Sequence, residues 1–163
     1  MTTRIKVLLI TLLFGGAAFA LGPIIWPPNL HNPVPNAAQL PFFIVLAVLE
    51  ALTFGLGVAF VAFGLPLVRR LGRGSPPFTW TMFVGIAWLM LSWWPHDKMH
   101  LHNGLELSGL IVIEYAFHAS LMITGVVLAY IFVRSLQAPH VERSAAQRGG
   151  RTVPTHDPSS QAY

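Results

Sequence analysis

The sequence predicts an all-α integral membrane protein with four transmembrane helices, cytoplasmic termini and a disordered C-terminal tail. Of its 163 residues, 54% are hydrophobic and only 10% are charged, and the mean hydropathy is +0.61. Soluble domains do not have this composition. Four apolar stretches of roughly 18 to 29 residues each are long enough to cross a bilayer. They fill most of residues 1–134, which leaves no room for a separate soluble domain.

The four predicted spans are separated by polar, basic or proline-rich segments. They cover residues 7–26, 42–68, 78–94 and 105–133. The third span has tryptophan near both ends, which is typical of the two membrane interfaces. The second span carries small residues at every fourth position, and such a stripe lets another helix approach closely. The stripe consists of Ala47, Ala51, Gly55 and Ala59.

The first span has two interpretations. Its basic start, short apolar stretch and A-x-A pattern at residues 18–20 fit a secretory signal peptide comprising residues 1–20. The apolar character resumes at Ile24, beyond that pattern, and this favours a retained helix. The predicted topology of the later spans is the same in both cases.

The distribution of basic residues predicts the orientation. Of the ten Lys and Arg residues, only Lys98 lies on the side that holds the loops at 27–41 and 95–104. By the positive-inside rule this side faces outward and both termini are cytoplasmic. The predicted location is the plasma (inner) membrane, with the histidine-rich loop at 95–104 extracytoplasmic. Residues 135–163 lack an apolar face and are predicted to form a disordered cytoplasmic tail.

Three ionisable side chains fall inside the predicted spans, where a charge costs on the order of 3 kcal/mol. Glu50 lies in the second span, and Glu114 and His118 lie in the fourth. Counted from the outer ends of their spans, the two carboxylates reach a similar depth of roughly 12 to 14 Å. His118 follows Glu114 by four residues, so both belong to one helical face. We expect these three groups to face one another.

The histidine-rich loop adds further polar side chains on the outer side. His96, Asp97, His100 and His102 lie between Pro95 and Gly104. These two flanking residues are typical of the start and end of a short helix, which would place His96 and His100 on one side. An extended loop would instead place His100 and His102 on one side. The sequence does not choose between the two geometries.

These side chains predict a transition-metal site, because imidazole and carboxylate groups suit zinc, iron and copper. The absence of cysteine excludes thiolate ligands, cysteine-bound iron-sulfur clusters and covalently attached haem. A b-type haem needs two apposed histidines within helices, and only His118 lies in a predicted span. The predicted metal ligands are Glu50, His96, Asp97, His100, His102, Glu114 and His118. Such a site would suit a redox or metal-handling component.

Two other functions remain open at this point. The polar groups can join helices in an accessory or structural subunit of a larger membrane complex. Alternatively, Glu50, Glu114 and His118 can act as acid and base groups in a pocket for a lipid or quinone. The expected partners are the bilayer and another membrane protein or a second copy of the chain. Nucleic acid is excluded because the basic residues are scattered at helix ends and in the tail. The sequence indicates no known family and does not say whether the protein is an enzyme.

Overall fold

The computed structural model describes residues 2–32, 34–71, 75–104 and 110–149, with the backbone alone described for 135–149. These residues contain helices and no strands, so the all-α prediction is confirmed for them. The helices are α1 Thr3–Ile25, α2 Leu40–Phe63, α3 Leu65–Leu71, α4 Pro76–Asn103 and α5 Ile111–Gly149. The chain forms two compact units, residues 1–128 and 129–163, and the helices before α5 all belong to the first.

Among the described residues, three helices are long and apolar enough to cross a membrane. They are α1, α2 and the segment Ile111–Arg134 of α5, with mean hydropathies of 2.2, 2.4 and 2.0. The predicted third span, residues 78–94, lies inside α4, which is not among the three. Four of the five tryptophans lie in α4, and their partly polar rings lower its hydropathy. Three of the four predicted spans are therefore confirmed as apolar helices of sufficient length.

Helices α1 and α2 pack against each other through small residues. A Cβ atom added to Gly15 of α1 would lie 2.9 Å from the carbonyl oxygen of Ala51 in α2. Ala18 and Ala51 are buried in the same cluster, together with Trp94 of α4. Ala51 and Gly55 of the expected stripe therefore lie where the two helix backbones meet, and larger side chains would not fit there.

The second predicted span ends earlier than expected. Helix α2 stops at Phe63 and the short helix α3 begins two residues later, at Leu65. Pro66 stands in the first turn of α3, where its missing N–H costs no hydrogen bond, whereas inside a longer helix it would break one. The apolar run at 42–68 is thus divided between two helices.

The histidine-rich segment is helical, and the prediction of a loop at 95–104 was wrong. Helix α4 continues past Pro95 to Asn103. The alternative of a helix that places His96 and His100 on one side is confirmed, although this helix is the last part of α4. Gly104 ends α4 with a positive φ of 75°, a conformation that glycine adopts without a steric penalty.

The loop after α1 is bonded to the end of α4. The backbone N–H of Asn29 and the side-chain amide of Asn32 both donate to the carbonyl oxygen of Leu101, at 2.8 and 2.7 Å. His102 Nδ1 donates to the carbonyl oxygen of Pro27 at 2.7 Å. The proline-rich loop is therefore held against the last turn of α4 at three points.

Helix α5 differs from the predicted fourth span at both ends. It begins at Ile111, and residues 105–109 lie outside the described residues. It continues to Gly149, although the sequence predicts disorder from residue 135. Alanine, glutamine and arginine at residues 145–148 favour helix even without an apolar face. The rest of the predicted tail, residues 150–163, lies outside the described residues.

Candidate metal centre

Two histidines of α4 face each other across one helical turn. His96 and His100 are four residues apart, a spacing that brings side chains together on one face of a helix. Their Nε2 atoms lie 3.1 Å apart. The side chain of His96 is 8% exposed and that of His100 is 28% exposed. Both imidazoles therefore direct their Nε2 atoms to one point that is shielded from solvent.

The carboxylate of Glu114 reaches this point from the first turn of α5. Its Oε1 atom lies 3.0 Å from His100 Nε2, and its Oε2 atom lies 3.8 Å from His96 Nε2. A helix N-terminus stabilises such a negative charge. Among the residues that the structure describes, these three form the only group of His, Asp or Glu whose ligand atoms lie within 4.8 Å of one another. The group can hold a metal ion.

One oxygen of the carboxylate lacks a hydrogen bond. Glu114 Oε1 is sealed from solvent and has no hydrogen-bond partner within the described part of the chain, although His100 Nε2 lies within ion-pair distance. Buried polar atoms in folded proteins are nearly always satisfied, and the only polar contact of this oxygen within the described residues is the ion pair with His100. A cation bound between this oxygen and the two imidazoles would provide a further partner.

Phe117 fixes the orientation of the His96 ring. The two rings are stacked with centroids 3.6 Å apart and planes inclined by 7°. Phe117 is buried, and its ring is T-shaped to that of Trp93 at a centroid distance of 6.0 Å. Sequence reasoning missed Phe117 as part of the site. Its position three residues after Glu114 is the signal that places it on the same face of α5.

His118 lies beside the group without being a member of it. Its Nδ1 atom is 2.8 Å from the backbone carbonyl oxygen of Glu114 and 3.5 Å from the carboxylate oxygen Oε2. Its side chain is 56% exposed. The predicted pairing of Glu114 with His118 is therefore present. The hydrogen bond to the carbonyl oxygen uses Nδ1–H, so Nε2 is the ring nitrogen that can still accept a hydrogen bond.

Glu50 belongs to a different cluster, contrary to the expected convergence with Glu114 and His118. Its carboxyl group shares a hydrogen bond with Asp97, and Asp97 Oδ2 lies 3.5 Å from Lys98 Nζ. Asp97 follows His96 directly, but one residue turns an α-helix by about 100°. The end of α4 consequently has one polar face toward α5 and another toward α2.

His102, the remaining predicted ligand, also lies outside the group. Its Nδ1 atom is bonded to Pro27, and the edge of its ring meets Trp26 at a centroid distance of 6.0 Å. His31 is similarly engaged by Asn29. Both histidines contribute to the fold of the loop after α1.

Burial favours the neutral form of His96. It lowers the pKa of this imidazole below the ordinary value of 6.5. The nearby charge of Glu114 opposes this effect, whereas His100 and His118 reinforce it. A neutral imidazole has the free electron pair that a metal ion requires. The environment of His96 thus maintains the ligand in its binding form near neutral pH.

Within the described residues, the fold and the site together define a helical protein with three helices that are long and apolar enough to cross a membrane and a His-His-Glu group able to hold a metal ion. No family model, curated protein sequence or solved structure matches the chain. The functional argument therefore depends on the geometry of this group.

Proposed function

We propose that this protein is an integral membrane protein that binds a transition-metal ion through His96, His100 and Glu114. The observation that carries the proposal is the convergence of the two imidazole nitrogens and the shielded carboxylate of Glu114, whose ligand atoms all lie within 4.8 Å of one another. Two imidazoles and one carboxylate are donors that zinc, iron and copper accept. Three protein ligands leave at least one position open for water or a substrate, as in sites where a metal ion acts or is exchanged.

The proposed topology has four spans, with residues 78–94 of α4 as the third. Arg69 and Arg70 lie exposed in the last turn of α3, and we place them on the cytoplasmic side. The loop around Leu30 and the metal group then lie on the outer side, and both termini are cytoplasmic. An outward-facing site of this kind suits the handling of a metal ion or a redox reaction at the plasma membrane.

Cysteine labelling tests the topology without background, because the chain has no cysteine. We expect Leu30→Cys to react with a membrane-impermeant maleimide added outside intact cells, since Leu30 is 97% exposed. Arg70→Cys, which is also exposed, serves as the matched cytoplasmic position and should react only after the cells are opened. Labelling of Arg70→Cys alone in intact cells would reverse the proposed orientation.

Elemental analysis of the detergent-purified protein tests metal binding. We expect about one equivalent of a transition metal per chain, and we expect Glu114→Gln to lower this content severalfold. Glutamine retains the size of the side chain but lacks the negative charge that attracts the ion. Glu50→Gln is the matched control, since Glu50 bonds to Asp97 outside the group, and it should retain the metal. A folded wild type that stays free of metal after incubation with zinc, copper and iron salts would contradict the proposal.

A further inference from the structure

A cavity of about 580 Å³ lies between α4 and α5, next to the metal group. Its lining includes Ser92 and His96 of α4 and Phe117 of α5. Most of the remaining lining is apolar, with three further aromatic rings from Trp26, Phe83 and Trp88. Pockets of this volume and composition bind small organic molecules. His96 belongs to both the cavity and the metal group, so a bound molecule would lie beside the ion.

Ser92 provides a second, independent observation. Its side chain is 6% exposed, and its hydroxyl group has no hydrogen-bond partner within the described residues. A serine inside a helix usually donates to a backbone carbonyl one turn earlier when no other acceptor is near. The hydroxyl oxygen is shielded in the free protein, and because Ser92 lines the cavity, a change of its rotamer would present this group to an acceptor atom on a bound molecule.

A second cavity along the same helices lacks this feature. Its volume is about 590 Å³, and its lining includes Thr81 and Ser120. Thr81 already donates to the carbonyl oxygen of Pro77, and Ser120 donates to that of Phe117. Two cavities of similar size thus differ in whether a polar group still needs a partner, and only the cavity at Ser92 adjoins the metal group.

We propose that the cavity at Ser92 binds a neutral, flat ring molecule of the quinone type, dissolved in the membrane. Aromatic walls favour a planar ring, which can stack on them or meet them edge to face. A ring carbonyl can accept the hydrogen bond from Ser92. A lipid acyl chain would leave the hydroxyl unsatisfied, and water would find few partners on apolar walls. The inference rests on the proposed membrane location and names the kind of molecule that would meet the metal group.

Tryptophan fluorescence provides the test, because Trp26 and Trp88 line the cavity and quinones quench tryptophan on contact. The full chain in phosphatidylcholine nanodiscs is titrated with decylubiquinone. We expect saturable quenching in the wild type and an affinity at least tenfold weaker in Ala87→Phe, which places a ring inside the cavity. Ala119→Phe is the matched control, since Ala119 is exposed and lines neither cavity. Ser92→Ala should weaken binding severalfold.

Other outcomes overturn the inference. Quenching that rises without saturation, or equal affinities in Ala87→Phe and Ala119→Phe, would show that decylubiquinone meets the tryptophans only from the lipid. Equal competition by hexadecane would assign the cavity to hydrocarbon chains. Measuring the metal content of the same nanodiscs separates the two proposals. If the protein retains the metal but does not bind the quinone, only the proposed quinone site is refuted. If the protein lacks the metal but shows saturable quenching, only the proposed metal site is refuted.

Discussion

Replacing His100 by alanine is expected to lower the affinity for a transition metal by more than about 100-fold, which exceeds the usual effect of losing an outer-sphere partner. The reason is geometric. His100 Nε2 is the nitrogen nearest to the carboxylate, 3.0 Å from Glu114 Oε1, and its removal leaves only His96 and Glu114. A competition titration against a chelator of known affinity, carried out in detergent, measures the effect.

The matched control is His102→Ala, two residues further along α4. His102 donates to Pro27, so this change should lower the stability by about 1 kcal/mol, the usual contribution of one hydrogen bond. Its metal affinity should stay within about twofold of the wild type, because the group at His96 and Glu114 is untouched. Equal losses of affinity in the two variants would indicate that any disturbance at the end of α4 releases the ion, which would remove His100 from the ligand set.

The second large effect is expected at Gly55. A Cβ atom added there would meet the backbone of α1, at 2.6 Å from Gly15 N and closer still to the carbonyl oxygen of Thr11. Backbone atoms cannot move aside as a flexible side chain can, so Gly55→Ala must push α1 and α2 apart. We expect a loss of about 2 to 3 kcal/mol in the free energy of unfolding, near the upper end for overpacking. Denaturation by sodium dodecyl sulfate in mixed micelles measures it.

Gly16→Ala is the control for this substitution. Gly16 lies in α1 beside Gly15, and a Cβ atom added to it would meet nothing within 4 Å. Alanine favours helix over glycine by up to about 1 kcal/mol, so this variant should be as stable as the wild type or slightly more stable. If Gly55→Ala unfolds at the same detergent fraction as Gly16→Ala, the close approach of α1 and α2 does not exist in the folded protein.

The sequence was most informative where length and hydrophobicity decide the structure. Helix α1, helix α2 and the apolar part of α5 follow from uninterrupted apolar runs, and the small-residue stripe at Gly55 marks a close helix contact. The helix through Pro95 was not predicted, because proline removes one hydrogen bond and reads as a boundary. Residues that are distant in the sequence but close in space stabilise this part of α4, and a local sequence pattern does not show them.

The candidate site was predicted in part for a related reason. Spacing alone places His96 beside His100 on any helix, and Glu114 beside His118. It does not give the rotation of one helix relative to another. Glu50 was expected to face Glu114 at equal depth, but it faces Asp97, and α5 begins only three residues before Glu114. Equal depth in the membrane does not predict that two side chains meet, because the direction in which each points around its helix axis decides the contact.

The carbonyl oxygen of Leu101 accepts from both Asn29 and Asn32. A carbonyl oxygen has two lone pairs, and the last carbonyls of a helix ordinarily depend on solvent to occupy them. At this terminus both are taken by the protein itself, and the carbonyl of His100 is taken by the N–H of Gly104. These two carbonyls can therefore enter the sparsely hydrated layer beneath the lipid headgroups with little loss of solvation energy, and His100 enters it with them.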